Sequence, residues 1–342
     1  MTNRNMNSNA EEYLPDRLRQ PFLLRPEGKD YLWGGRRLRD DFAKNMDMEP
    51  LAETWECSTH PAGLSMAATG IFAGMSLAEV LRRHPEFLGT HPAAENGLPI
   101  LIKLIDARED LSVQVHPDDE YARRYEDGQP GKTELWYVMD ASKDARIIYG
   151  LHQDTEKSIL QRAALDGTIG KYLQKVPVKR DDVFYVEPGT IHAIGAGVLI
   201  AEVQENSDLT YRLYDYGRVD KHGKMRKLHI DKALDVADLA GSARPRQPVR
   251  VLQYRPGIAE ELLCRCKYFE VCRMLVNTER RQKVYFRADS ISFRVLLCMN
   301  GCGVIRWENG SLNIYKGDCV FFPADSVRVS FHGQMQMLCV RG

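Results

Sequence analysis

Two short runs constrain this chain more than any other part of it. In LSVQVHP, the apolar Leu111, Val113 and Val115 alternate with Ser112, Gln114 and His116, so a β-strand sends those three polar side chains to one face. In KTELWYV, Lys132, Glu134 and Trp136 share a side in the same way, with β-forming residues from Leu135 to Val138. An ordinary core does not take an amide, an imidazole and a carboxylate, because each needs a partner when buried. Two neighbouring strands that present them to a common pocket supply what a divalent metal requires.

A third run, KRDDVFYVEPGTIHAIGAGVLIAEVQENSDLTYRLYDYGR, adds to that pocket. Its strand Val183 to Val186 enters a tight turn at Pro188 and Gly189, and His192 emerges just beyond. The next strand alternates Val203 with Glu202, Gln204 and Asn206. After a break its continuation puts Asp208, Thr210, Arg212 and Tyr214 on one parity. Such a polar face inside a β-rich region reads as a sugar-binding interior rather than a core. Before the first run, PILIKLIDA carries Lys103 as a single cation among apolar residues. It is either an edge residue facing water or a desolvated catalytic group.

The remaining segments read as scaffold. SLAEVLRRHPEFLG predicts a short amphipathic helix with Ser76 as N-cap. PDDEYARRYEDGQPGK predicts a short helix and a Gly/Pro loop, and residues 154 to 174 suggest helical segments around Gly167. LAETWECSTHPAG alternates Glu53, Trp55 and Cys57 along a strand, with His60 exposed in the turn after it, and Trp33, Gly34 and Gly35 mark a packed edge loop. Residues 1–20 are polar and aperiodic, the pattern of a mobile tail. From Leu239 to Val249, LAGSARPRQPV has the composition of a linker. Beyond it the chain is strand-like to its end, and KGDCVFFPADSVRV repeats the shape of RDDVFYVEPGTIHAI. In that alignment the place of the histidine falls to Val327, so a second β-domain lacks the metal ligand.

Composition narrows the function classes. Across 342 residues, 47 basic side chains balance 47 acidic ones with no long one-sign block, which argues against a nucleic-acid groove or a membrane surface. No apolar run approaches the ~20 residues that span a bilayer, and MTNRNMNSNAEEYLPDR lacks the apolar centre of a secretory signal. The expected location is cytoplasmic. Of eight cysteines only Cys57 precedes Cys264, which favours free thiols in a reducing compartment. Cys264 and Cys266 form a C-x-C pair with no second pair at zinc-site spacing.

The pattern ending EPGTIH at His192, with a histidine and a glutamate upstream, resembles the metal site of cupin barrels. The fuller set, LIKLIDAREDLSVQVHPDDEYA, GKTELWYV, EPGTIHAIGAG and VQENSDLTYRLYDYGR, is similar to the short bacterial form of the type I mannose-6-phosphate isomerase (phosphomannose isomerase) family. The likeness runs from about Pro21 to the C-terminus and is densest over residues 99–218. It implies a mainly β fold of two cupin-like jelly-roll barrels with a few peripheral helices: a tail over 1–20, a catalytic metal-binding domain over 21–240, and a degenerate β-domain without a metal site over 250–342. It implies one Zn²⁺ per chain on His116, Glu134 and His192, with Gln114 as a fourth ligand. Arg212 matches the family's active-site arginine and Asp208 an acidic residue one stretch before it, while Lys103, Ser112 and Lys132 fall where family members place groups touching the substrate or its phosphate; Arg212, Lys103 and Asp208 are the candidate catalytic groups, and Ser112 and Lys132 the candidate substrate-binding ones. The implied reaction interconverts mannose 6-phosphate and fructose 6-phosphate by proton transfer between C2 and C1 through an enediol. No large helical insertion fits between Glu134 and His192. The implied partner is a small sugar phosphate, with neither nucleic acid nor membrane, and the chain is expected as a monomer or weak homodimer.

Two rival readings remain at this point. Two histidines and a carboxylate also form the iron triad of cupin oxygenases, but Gln114 and the surrounding lysines suit a phosphorylated sugar better. A sugar-phosphate sensor on the same scaffold would bind without turnover, and retention of every candidate ligand together with Arg212 argues against it.

Overall fold

The structure is a computed structural model that describes residues 18–342 apart from 221, 222, 243, 244, 246, 248 and 249. All but the last three residues of the expected tail, and about half of the expected linker, lie outside the described residues. The fold is mainly β, with short peripheral helices. Among the described residues no helix is long and apolar enough to cross a membrane.

The chain folds as two compact units. One comprises residues 1–26, 56–99 and 250–342, and the other 27–55 and 100–249. The division is therefore not the contiguous one expected at the linker: residues 22–26 and 56–99 belong with the C-terminal strands. The reason is strand pairing. Phe22–Arg25 pairs antiparallel with Cys319–Phe322, Phe22 opposite Phe321, and with Met66–Ala67 on its other side. In this unit a ten-stranded sheet runs from Gln253–Arg255 to Met66–Ala67. Val327, at the place of the missing histidine, packs against its apolar cluster of Met274, Leu296 and Phe322. The helix expected after Ser76 is Leu77–Arg83, and the Ser76 hydroxyl accepts the Glu79 amide at 3.2 Å.

The second unit holds eleven strands, labelled here in chain order: β1 Glu27–Lys29, β2 Glu53–Cys57, β3 Ile100–Asp106, β4 Val113–Val115, β5 Glu134–Ala141, β6 Arg146–Leu151, β7 Leu173–Pro177, β8 Val183–Val186, β9 His192–Ile194, β10 Val198–Glu205 and β11 Tyr211–Tyr214. The last two residues of β2 belong to the first unit. A six-stranded sheet has the order β8-β5-β10-β3-β2-β1, and a five-stranded sheet the order β11-β4-β9-β6-β7. Both sheets are open along their pairing order, so the closed barrel expected from the resemblance is not seen among the described strands.

The two sheets share a core. Ile105, Trp136, Val138 and Phe184 of the larger sheet cluster with Ile147, Val176 and Ile194 of the smaller. The outer face of the smaller sheet is covered by the helices Lys157–Leu165 and Ile230–Val236, which bury Val113, Val115 and Ala193. Because side chains alternate along a strand, Gln114 and His192 must then face the space between the sheets.

Register carries the inner face of the larger sheet from apolar to polar within three rows. Val138, Ile200 and Ile105 lie side by side on β5, β10 and β3; the next row is Trp136, Glu202 and Lys103, and beyond it Gln204 lies opposite Glu134. The polar end of the sandwich is where the candidate site sits.

Candidate metal centre

His116, Glu134 and His192 meet between the sheets, each at most 1% exposed, with donor atoms within 4.8 Å of one another. His116 follows β4, Glu134 opens β5 and His192 opens β9, so three strands far apart in sequence each contribute one group. The Pro188–Gly189 turn aims the third. Gly189 has φ +88, its amide donates to the His116 carbonyl at 2.9 Å, and a Cβ there would lie 3.0 Å from the Val236 carbonyl oxygen.

The orientation of the groups favours a cation. His192 Nδ1 lies 2.8 Å from the Thr190 carbonyl, which assigns the ring proton to Nδ1 and leaves the Nε2 lone pair pointing inward. His192 Nε2 is 3.7 Å from Glu134 Oε2, and His116 Nε2 is 3.1 Å from Glu134 Oε1. Yet His116 Nε2, Glu134 Oε1 and His192 Nε2 are buried without an aligned hydrogen bond. Three lone-pair donors that converge on one point but do not satisfy one another fit a metal ion.

Protonation states agree. Burial pushes His116 down to about 3, helped by the Lys132 ammonium, and burial likewise lowers His192, so both rings are neutral, the form in which an imidazole can bind a metal. Burial alone would raise Glu134, but Lys132, with its Nζ 2.9 Å from Oε1, together with His116 and His192 outweighs it and keeps the carboxyl ionised.

A polar pocket adjoins this cluster and is lined by Lys103, Ser112, Gln114, Lys132, Asp208 and Arg212. All six other residues singled out in the sequence thus reach one place. Gln114 lies directly opposite His192 on β9 and Arg212 on β11. Among the described residues the Arg212 side chain makes no hydrogen bond or ion pair, and its Nε is buried unsatisfied. Burial and the nearby Arg226 depress its pKa, so it is a cation in want of an anion.

Of the two readings its sequence context allowed, Lys103 is not the edge residue facing water; it is desolvated. It is 4% exposed, with its ammonium 3.3 Å from Glu202 and 5.1 Å from the Trp55 ring centroid. Burial lowers its pKa, but the carboxylates of Glu202, Glu53, Asp208 and Glu134 more than reverse this, and the net shift is upward. It stays charged.

Sequence reasoning placed Glu202 on a polar face without giving it a role. In the pocket wall its carboxyl is 4% exposed, accepts the Trp136 indole N–H at 2.8 Å, and is pushed up to about 7 by burial and by Glu134. Tyr31, Trp33, Glu53 and Arg226 also line the pocket and were not singled out. Trp33 arrives through the loop read as mere packing. That loop is clamped by Arg37, whose backbone N and Nε both donate to the Asp106 carboxylate.

Comparison with known proteins decides the family. Residues 22–154 match the model of the phosphomannose isomerase type I catalytic domain. The mannose-6-phosphate isomerase of Streptococcus mutans is 34% identical over 93% of this chain and 97% of its own length. The chain belongs to the type I phosphomannose isomerase family. Within that family, mannose-6-phosphate isomerase ManA of Bacillus subtilis is 41% identical over 74% of this chain and 78% of its own. The crystal structure of the mannose 6-phosphate isomerase from Bacillus subtilis superposes with a TM-score of 0.85 at 33% identity, covering 94% of this chain and 99% of that one. The family resemblance read from four sequence runs therefore holds over almost the whole chain.

Proposed function

We propose that the chain interconverts mannose 6-phosphate and fructose 6-phosphate, with one zinc ion held by His116, Glu134, His192 and Gln114. The reading rests on one observation above the others: a buried His–Glu–His cluster whose two inward histidine nitrogens have no hydrogen-bond partner lies beside Lys132 and Gln114, which line the same pocket as the unpaired guanidinium of Arg212. The first suits a metal and the second a phosphoryl group or a developing oxyanion. Two facing antiparallel sheets with the metal ligands between them also accord with a cupin-type jelly roll.

When bound, zinc would act as a Lewis acid on the sugar's carbonyl and hydroxyl oxygens and stabilise enediolate charge. The chain's own groups do the rest. Arg212 holds the anionic substrate by its forked N–H groups. Lys132 keeps Glu134 ionised, and Lys103 keeps a positive charge against Glu202. Ser112 and Gln114 offer polar groups to sugar hydroxyls, and Asp208 lies at the exposed rim. Glu202 is the group best poised to move the proton between C2 and C1. Its carboxyl, pushed up to about 7, can accept and return a proton near neutral pH. Lys103, held as a cation by its neighbouring carboxylates, is assigned to placing charge beside Glu202 rather than to moving the proton.

The test is a coupled assay of fructose 6-phosphate formed from mannose 6-phosphate, before and after chelation, with zinc added back. Turnover that vanishes with the chelator and returns with zinc is expected. Tight binding of mannose 6-phosphate without turnover would replace the isomerase with a sensor.

A further inference from the structure

The indole of Trp136 reaches both the cluster and the pocket wall through its N–H. It is fully buried, packs edge-on against the His192 ring at 5.3 Å between centroids, and has one N–H. That N–H lies 3.0 Å from Glu134 Oε2 and 2.8 Å from Glu202 Oε2. A single donor is thus shared by a carboxylate of the metal cluster and a carboxylate of the pocket wall.

The arrangement follows from register. Trp136 is two residues beyond Glu134 on β5, so both face inward, and it lies directly opposite Glu202 on β10, which in turn lies opposite Lys103 on β3. Indole, carboxyl and ammonium form a row across three adjacent strands. The same Glu-x-Trp device recurs on β2, where Trp55 Nε1 donates to Glu53 Oε2 at 2.8 Å and the ring supports the Lys103 ammonium. Two strands of one sheet therefore each use an indole N–H to hold the carboxylate two residues before it.

We propose that Trp136 is a positioning residue, whose indole N–H ties the metal-binding carboxylate of Glu134 to the proton-carrying carboxyl of Glu202 and sets the aim of the latter into the pocket. The inference rests on the isomerase reading above. Two buried acids near one another repel when both are ionised, and a shared donor offsets that repulsion while fixing both oxygens. Groups that orient metal ligands from behind typically control activity or metal affinity by about 10–100-fold.

The test uses the zinc-loaded full chain. Trp136→Phe keeps an aromatic ring and removes the donor. With the fold verified by circular dichroism, kcat should fall at least tenfold while KM stays within about twofold and zinc, added in excess, remains at one ion per chain. The second readout is the indole N–H resonance of Trp136 in ¹⁵N-labelled protein, one of four such signals, assigned through its own side-chain correlations. It should move in Glu202→Gln, and again when zinc is added to chelator-stripped protein. A wild-type kcat in folded Trp136→Phe, or a resonance indifferent to both Glu202→Gln and zinc, overturns the proposal. If Trp136→Phe does not fold, the resonance decides alone. A wild-type chain that never turns over mannose 6-phosphate would instead defeat the isomerase reading, and the resonance would still report whether the tie exists.

Discussion

Glu202 shows what a local reading of residues reaches and where it stops. The clustered trio was legible because His116 and Glu134 sit in short runs whose alternation is visible within seven residues, and His192 follows a turn signal at Pro188–Gly189. Glu202 lies in β10, where all eight residues are buried, so its parity distinguishes it from its neighbours only once its cross-strand partners are known. Those partners, Trp136 and Lys103, are 66 and 99 positions away. The uncertainty over Lys103 has the same origin, since whether a lone lysine is solvated or paired depends on what faces it from another strand. The chemical consequence is testable. With the carboxyl of Glu202 pushed up to about 7, a base role requires the deprotonated form, so kcat/KM should decline as pH falls through that region. Bound zinc offsets the Glu134 charge that helps raise Glu202, so in loaded enzyme the acid limb should sit on the acid side of 7. Glu202→Gln should lower kcat by about 10²–10⁴-fold and abolish that limb. A Glu202→Gln profile with wild-type kcat and an intact acid limb would transfer the base role to another group.

Elements were read best where termini carry chemical signals. The short helix expected in PDDEYARRY is Asp119–Tyr125, and Asp118 caps it by accepting the Tyr121 amide at 2.8 Å. Strand partners were not readable in the same way, because pairing order is set by the whole sheet and not by the strand's own residues. The open sheets follow from this: alternation announces two faces but does not say whether the edges meet. The turn before β9 combines both kinds of information. Gly189 adopts a positive φ of +88, and an added Cβ would press on the Val236 carbonyl oxygen at 3.0 Å. Gly189→Ala should therefore destabilise the chain by about 1–3 kcal/mol, read from denaturant unfolding. Since His192 starts three residues later and Gly189 N bonds the His116 carbonyl, the same variant should bind zinc more weakly, read by competition with a chromogenic chelator. Unchanged zinc affinity would mean that the turn shapes the chain without aiming the ligands.

The largest gap between sequence and structure lies in how the whole chain is divided. Composition marks a break at residues 239–249, and a contiguous division there is the natural reading of a Pro- and Arg-rich segment. The chain instead passes from one unit to the other at residues 26, 55, 99 and 249, and the crossing at 55 falls inside β2, where no turn residue announces it. Only long-range pairing reveals the interleaving. Phe22 is 1% exposed because Phe321 lies opposite it on the neighbouring strand, with the rings 5.4 Å apart, and Phe321 in turn stacks on Phe293 at 5.6 Å. A fragment ending at residue 249 would keep every candidate site residue and lose the strand that covers Phe22–Arg25. It would also lose the Ile291 carbonyl that accepts the Thr90 and His91 amides, and the Ser292–Phe293 segment against which residues 87–89 lie. A buried Phe stabilises by about 1.5–3 kcal/mol, against the roughly 5–15 kcal/mol of a whole domain, so stripping the partners of several such residues removes most of the margin. Residues 1–249 expressed alone should therefore give no cooperative thermal transition and should be cut rapidly within 56–99 by a nonspecific protease. A cooperative, zinc-binding 1–249 fragment would show instead that the site-bearing strands carry their own stability, and that the interleaved segments are only passengers of the larger sheet.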